Sequence, residues 1–228
     1  MNLCFDFDGP IIDVSERYYR AYLESLKGTD SKKLRVLSKE TFWNLKQNRI
    51  SDFEIGILSG LSLKESLASA EQRKDLTFIS EYHSLDKLFS DVSKTFEYLK
   101  ENNSTFFIVT LRRRKHIEQA IKELKLNKYI GIESIFCLEN SHKITNDIQE
   151  KYILLVNAIN RLELDPYETV IIGDSETDIH AGRLARYGKI AAIIRGIRSK
   201  EQLEILKPDF ILNNLSEIVN LEKLRVSA

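Results

Sequence analysis

The sequence predicts an α/β protein: a doubly wound parallel sheet core into which a wholly helical segment is inserted. Three observations carry that prediction. Short apolar, β-branched runs, the clearest being Thr105 to Leu111 and Thr169 to Gly173, have the composition of strands buried on both faces. Those runs alternate with stretches of helical period, the order that builds parallel βαβ units. From about Glu16 to about His83 there is no strand signal, only helical spacing and capping patterns. Residues 1–15 and 84–228 are therefore expected to form the core, and residues 16–83 the insertion.

The first strand is a short apolar run that passes into Asp6-Phe7-Asp8 and is stopped by Gly9-Pro10. Asp13-Val14-Ser15-Glu16 has the form of a capping box with Asp replacing Ser or Thr, followed by Tyr18, Tyr19, Tyr22, Leu23 and Leu26 at helical spacing and closed by Gly28. A second helix holds Phe42, Trp43, Leu45 and Lys46, with Trp43 as a packing residue. A third starts after Ser51 and ends at Gly60, and Ser62-Leu63-Lys64-Glu65 caps a fourth. The core resumes with a helix from Asp91 to Asn102, the buried strand Thr105 to Leu111, a break at Arg112-Arg113-Arg114-Lys115, and a helix from His116 to Leu126. Then come a strand at Ser134 to Leu138, a helix beginning near Glu150-Lys151, and a turn at Asp165-Pro166. The strand Thr169 to Gly173 leads into a helix from about Thr177 to Tyr187. A strand Ile190 to Ile194, a helix Lys200 to Leu206, a strand Asp209 to Leu212 and a helix Ser216 to Leu224 complete six strands alternating with helices.

Composition narrows the function. The chain has 228 residues, 43% of them hydrophobic and 30% charged, and its 34 basic residues balance 34 acidic ones. There is no overall field to draw nucleic acid or a membrane surface, so any anion must be held locally. No stretch has the apolar length of a membrane span. Cys4 and Cys137 lie in strand-like runs and are expected to be buried free thiols, which with the lack of a signal-peptide pattern points to the cytoplasm.

The chemistry gathers at strand ends. The first strand ends in Asp6 and Asp8, the second in Thr110, and the fourth in Asp174 and Asp178, with Lys151 at the helix before it. In a parallel sheet these ends share one edge, so distant residues can meet in one pocket. Two like-charged acids one residue apart repel unless a hard cation takes their oxygens or one acid keeps its proton. Asp6 and Asp174 can provide ligands to Mg²⁺, and Asp178 reads equally as a metal-site partner or as a favourable charge at a helix start. A carboxylate is also a competent nucleophile toward phosphorus, and a second carboxyl two residues on, Asp8, lies on the same side of an extended chain to move the proton. Thr110 and Lys151 can stabilise phosphoryl oxygens, and Arg112 follows closely enough to touch a phosphate or carboxylate of the substrate.

These residues resemble the haloacid dehalogenase-like hydrolase superfamily, phosphatase branch, over essentially the whole chain. The four motifs read Asp6-Phe7-Asp8-Gly9, Val109-Thr110, Lys151, and Gly173-Asp174-Ser175-Glu176-Thr177-Asp178. The resemblance implies a Rossmann-like core with a helical cap and Mg²⁺ as cofactor. In it Asp6 is the nucleophile and Asp8 the general acid and base, and Asp8 also lends its backbone carbonyl to the metal. Asp174 is a metal ligand with Asp178 beside it, and Gly9, Leu111 and Arg112 lie against the substrate. Two departures stand out: Pro10 where most such phosphatases have Thr, and Lys151-Tyr152 where Lys-Pro is common, with Lys143 as a rival lysine. The expected activity is hydrolysis of a small phosphorylated metabolite. A sugar phosphomutase of the same superfamily is the enzymatic alternative, and a phospho-accepting receiver-like module the alternative of another class. Lys46 and Arg49 on the insertion are expected to be solvated rather than bound to a substrate tail.

Overall fold

The computed structural model describes residues 1–29, 34–142 and 144–219. Six strands form one all-parallel sheet: β1 (Asn2–Phe5), β4 (Phe106–Arg113), β5 (Ile135–Leu138), β6 (Thr169–Gly173), β7 (Lys189–Ile193) and β8 (Phe210–Leu212), in the order β5-β4-β1-β6-β7-β8. Two short strands, β2 (Ile12–Asp13) and β3 (Lys87–Leu88), form a separate antiparallel ribbon. The chain leaves β1 for β4 and β5 on one side and returns to β6 on the other. The order therefore reverses beside β1, where open α/β sheets bind ligands. Phe5 lies opposite both Ile108 and Ile172, so Asp6 emerges between the two neighbouring strand ends.

Strand β1 shows how the sheet is held. Leu3 and Phe5 point into one apolar layer with Val92, Phe96, Ile108 and Ile117, while Cys4 points into the other with Phe107, Leu155, Ile171 and Ile179. Alternation along a strand with apolar residues on both faces is what a covered parallel sheet requires. Both cysteines are free and buried.

Among the described residues five helices lie between β2 and β3: α1 (Ser15–Ser25), α2 (Lys39–Gln47), α3 (Asp52–Leu58), α4 (Leu63–Leu76) and α5 (Ser80–His83). They close over their own cluster of Tyr22, Leu26, Phe42, Ile55 and Leu61, with Trp43 packed at its side. Capping boxes at Ser51/Glu54 and Ser62/Glu65 start α3 and α4 as their sequences predict. The remaining helices are α6 (Val92–Glu101), α7 (Arg114–Glu123), α8 (Asp147–Leu162), α9 (Glu176–Leu184) and α10 (Lys200–Ile205). Among the described residues no helix is long and apolar enough to cross a membrane.

Several local expectations are corrected. Asp13 is not a side-chain cap, because the ribbon holds it in β2; its Oδ1 accepts from the Ser15 amide at 2.8 Å and the helix starts one residue on, after Val14. Strand β4 does not break at Arg112. A register shift between Val109 and Arg113 carries it to Arg113, since Arg112 finds acidic partners in half-buried Asp8 and buried Asp86 and needs no solvent. Helix α8 begins at Asp147, where the Asn146 side chain accepts from the Gln149 amide, so Lys151 sits in the second turn rather than at the start. The helix expected over Ser216 to Leu224 opens as a 3₁₀ turn at Leu215–Glu217, and its end lies outside the described residues. Helix α5 and the β2/β3 ribbon carry no clear sequence signal at four and two residues each.

Candidate active site

A cavity of about 190 Å³ opens at the carboxyl ends of β1, β4 and β6. Asp6 and Asp8, Thr110, Leu111 and Arg112, and Asp174 and Asp178 line it, together with Lys151 from α8. The edge predicted from strand ends is therefore the edge on which these residues meet.

Asp6, Asp174 and Asp178 each present a carboxylate oxygen within 4.8 Å of the others. Lys151 is 1% exposed. Its Nζ lies 2.7 Å from Asp6 Oδ1 and 2.9 Å from Asp178 Oδ1, and Ser175 Oγ donates to Asp178 Oδ2 at 2.7 Å. Asp174 Oδ2 accepts from the Ile197 amide at 2.6 Å. A Cβ on Gly9, whose φ is +93°, or on Gly196 would overlap the Asp174 carboxylate, so the two glycines form a cradle for that one side chain.

Burial raises the Asp6 carboxyl to about 7, with Asp178 adding to the rise and Lys151 opposing it. Asp174 is pushed well above the carboxylate range by burial and then by the charges of Asp178 and Asp6. Burial alone would lower Lys151, but Asp178 and Asp6 raise it above its ordinary value, so it stays an ammonium. Three carboxyl groups crowd around one ammonium, and the raised proton affinity of Asp6 and Asp174 is the mark of negative charge that the single Lys151 does not balance. That donor set and that charge fit a hard divalent cation.

Asp8 has a different surrounding. Its Oδ2 accepts from Arg17 Nη2 and its Oδ1 from Arg112 Nε, each at 2.5 Å. Both guanidinium groups also reach Asp86, Arg17 through Nε at 3.2 Å and Arg112 through Nη2. Burial would raise the Asp8 carboxyl, but Arg112 and then Arg17 reverse this and hold it well below the usual carboxylate range. The Asp8 side chain is thus outside the three-acid cluster, which leaves only its backbone carbonyl for the expected contact with a metal.

Arg17, near the start of the helical insertion, and Asp86, just after its end, were not singled out by the sequence, nor were Gly196 and Ile197. Arg17 lies one turn before Ala21 on the inward face of α1, and a charged residue on that face was the available signal. Gly196 follows the strand run ending at Ile194, on the edge already marked by Gly173-Asp174. Lys46 and Arg49 do not line the cavity. Lys46 is not solvated but paired with Asp52 at 2.9 Å, and Arg49 lies 3.5 Å from Glu176. Lys143, the rival lysine, lies outside the described residues.

An acidic floor at neighbouring parallel strand ends, bridged by a buried lysine, defines an open-sheet α/β enzyme with a carboxylate-rich site. The chain belongs to the haloacid dehalogenase-like hydrolase family, whose model matches residues 3–192. It is 23% identical over 223 residues to the pyrophosphatase PpaX of Bacillus thuringiensis, covering 94% of this chain and 93% of that one. Its fold is similar to that of a candidate phosphatase from Clostridium difficile, with a TM-score of 0.73 and 16% identity over 96% of this chain and 97% of the other. A protein from Haemophilus somnus predicted to be a phosphoglycolate phosphatase gives a TM-score of 0.68 at 19% identity, over 96% of each chain.

Proposed function

We propose that the protein is a Mg²⁺-dependent phosphatase that hydrolyses a small phosphorylated metabolite through an aspartyl-phosphate on Asp6. The observation that carries the reading is the position of Asp6. It stands at the end of the central strand and the floor of the cavity, ion-paired to Lys151 and clustered with Asp174 and Asp178. In this reading Asp6 attacks phosphorus through the carboxylate oxygen not held by Lys151, and the Lys151 ammonium and Thr110 hydroxyl stabilise the phosphoryl oxygens. Asp8 moves the proton: Arg112 and Arg17 hold it ionised, the form that takes a proton from the water that hydrolyses the acyl-phosphate, and the proton so gained is the one it gives to a departing oxygen in the next turnover. Arg17 and Arg112 orient Asp8 for both steps. Asp6, Asp174 and Asp178, with the Asp8 backbone carbonyl, would hold Mg²⁺, which when bound neutralises the carboxylates and the phosphoryl group. Gly9, Leu111 and Arg112 lie against the substrate, and residues 16–83 act as a cap that excludes bulk water.

The small cavity and the balanced charge of the chain favour a metabolite over a nucleic acid or a membrane lipid. The two free thiols fit action in the reducing cytoplasm. The name of the Bacillus relative, a pyrophosphatase, agrees with phosphoryl hydrolysis. Phosphate release from p-nitrophenyl phosphate, with and without Mg²⁺, tests the reading on the parent and on Asp6→Asn. Mg²⁺-dependent release that Asp6→Asn abolishes is the expected result; equal activity of the two proteins refutes it. Isomerisation of a sugar phosphate without net release of phosphate assigns the mutase instead.

A further inference from the structure

A second cavity, of about 80 Å³, shares Phe78, Leu111, Arg112 and Ile144 with the first, and His83, Arg113 and His116 complete its wall. Two of these residues carry buried donors that find no acceptor among the described residues: Arg112 Nη1 and His83 Nε2. Arg112 spends Nε on Asp8 and Nη2 on Asp86, which leaves Nη1 over. His83 Nδ1 faces Arg17 Nη1 at 2.9 Å. A guanidinium only donates, and Asp86 Oδ2 at 3.6 Å is beyond hydrogen-bond distance of Nδ1, so Nδ1 is assigned as acceptor and the ring proton to Nε2. Arg112 is 7% exposed and His83 8%, so water does not satisfy either donor freely. Buried donors without partners are costly, and two of them around one chamber mark a place built for an acceptor.

Charge adds the sign. Arg112 and Arg113 line the chamber, and no carboxylate is among its described lining residues. Arg112 joins this chamber to Asp8, which in the proposed mechanism protonates the departing oxygen, and so puts the chamber on the leaving-group side of that mechanism. Its size admits a group of a few heavy atoms and no ring system.

We infer that this chamber binds a second oxyanion, a carboxylate or a second phosphoryl group, carried by the leaving group of the substrate, with Arg112 Nη1 and His83 Nε2 as its donors. This rests on the phosphatase reading and narrows its substrates to phosphoesters or anhydrides with an oxyanion close to the scissile bond. It also gives His83 a role in specificity.

Calorimetric titration at fixed free Mg²⁺ tests it with three non-hydrolysable ligands: ethylphosphonate, phosphonoacetate and methylenediphosphonate. The parent is expected to bind one of the two doubly charged ligands at least tenfold more tightly than ethylphosphonate. A preference for phosphonoacetate assigns a carboxylate, and a preference for methylenediphosphonate a second phosphoryl group. His83→Asn keeps an oxygen near the Nδ1 position to accept from Arg17 but loses the Nε2 donor, and should reduce the preference below threefold. His83→Gln, whose amide nitrogen reaches the Nε2 position, should restore part of it. Equal binding of all three ligands by the parent overturns the inference without any variant, as does a preference that His83→Asn leaves intact. A parent that shows the binding preference but releases phosphate from no phosphoester supports the chamber while refuting the phosphatase. Hydrolysis without the preference does the opposite.

Discussion

Arg17 Nη2 and Asp8 Oδ2 meet at 2.5 Å, joining the first helix of the insertion to the end of the central strand. Arg17 is fully buried, and its other contacts, Asp86 and His83, lie where the insertion returns to the core. One guanidinium therefore ties both connections between insertion and sheet to the carboxylate proposed to move the proton. Replacing Arg17 by Met keeps the length of the side chain and strands part of the charge on Asp8 and Asp86. Removing one partner of a buried pair typically costs about 3–5 kcal/mol; Arg112 remains, so the lower end is expected. Urea unfolding measures it, and a loss below about 1 kcal/mol would mean that the contact behaves like a surface pair.

Lys151 bridges Asp6 and Asp178 with almost no solvent contact. If it stabilises phosphoryl oxygens in the transition state, Lys151→Met should lower kcat by about 10²–10³, the range for losing one preorganised electrostatic donor, with a smaller change in KM. Lys151→Arg keeps the charge but not the compact ammonium, and should recover little of it. Steady-state kinetics on p-nitrophenyl phosphate decide the point. An unchanged kcat in Lys151→Met removes the lysine from the mechanism.

His116 supplies a pH-dependent prediction away from the acids. Its ring lies against that of His83, tilted by 38°, with centroids 4.2 Å apart. Burial, then His83 and the neighbouring Lys115, Arg112 and Arg113, lower its pKa to about 4. The unfolded imidazole takes a proton near 6.5 that the folded one refuses. Stability from this group is thus present above about 6.5 and is lost as the pH falls from there toward 4. Parent and His116→Gln compared by urea unfolding at several pH values should show a steeper loss in the parent across that window. Parallel curves refute the assignment.

The fold was legible because its signals are periodic and long. Thr105 to Leu111 and Thr169 to Gly173 announce buried strands by composition alone, and the Ser51 and Ser62 caps mark their helices to the residue. What escaped depends on tertiary pairing. The two-residue strands β2 and β3 exist only because they meet each other, and Arg112 continues β4 because Asp8 and Asp86 await it inside. The acids of the site could be read because strand ends on one parallel edge converge whatever lies between. Arg17 and Asp86 could not, since nothing local to either sequence says that the two ends of the insertion meet above Asp8.

The Asp174 cradle gives the most local test. Gly196 has no unusual φ, so its replacement by Ala is not a backbone problem. The added methyl group would occupy the space of the Asp174 carboxylate, which also holds the Ile197 amide beside it. Gly196→Ala must therefore move Asp174 or the 196–197 loop, and either shift opens the three-acid cluster. The expected outcome is weaker Mg²⁺ binding by calorimetry, by tenfold or more, with a loss of stability of only about 1–3 kcal/mol. Because cation binding and unfolding are read separately, the two effects can be told apart. Mg²⁺ affinity equal to the parent's would show that the cluster does not depend on the position of Asp174, and would detach that residue from the metal site.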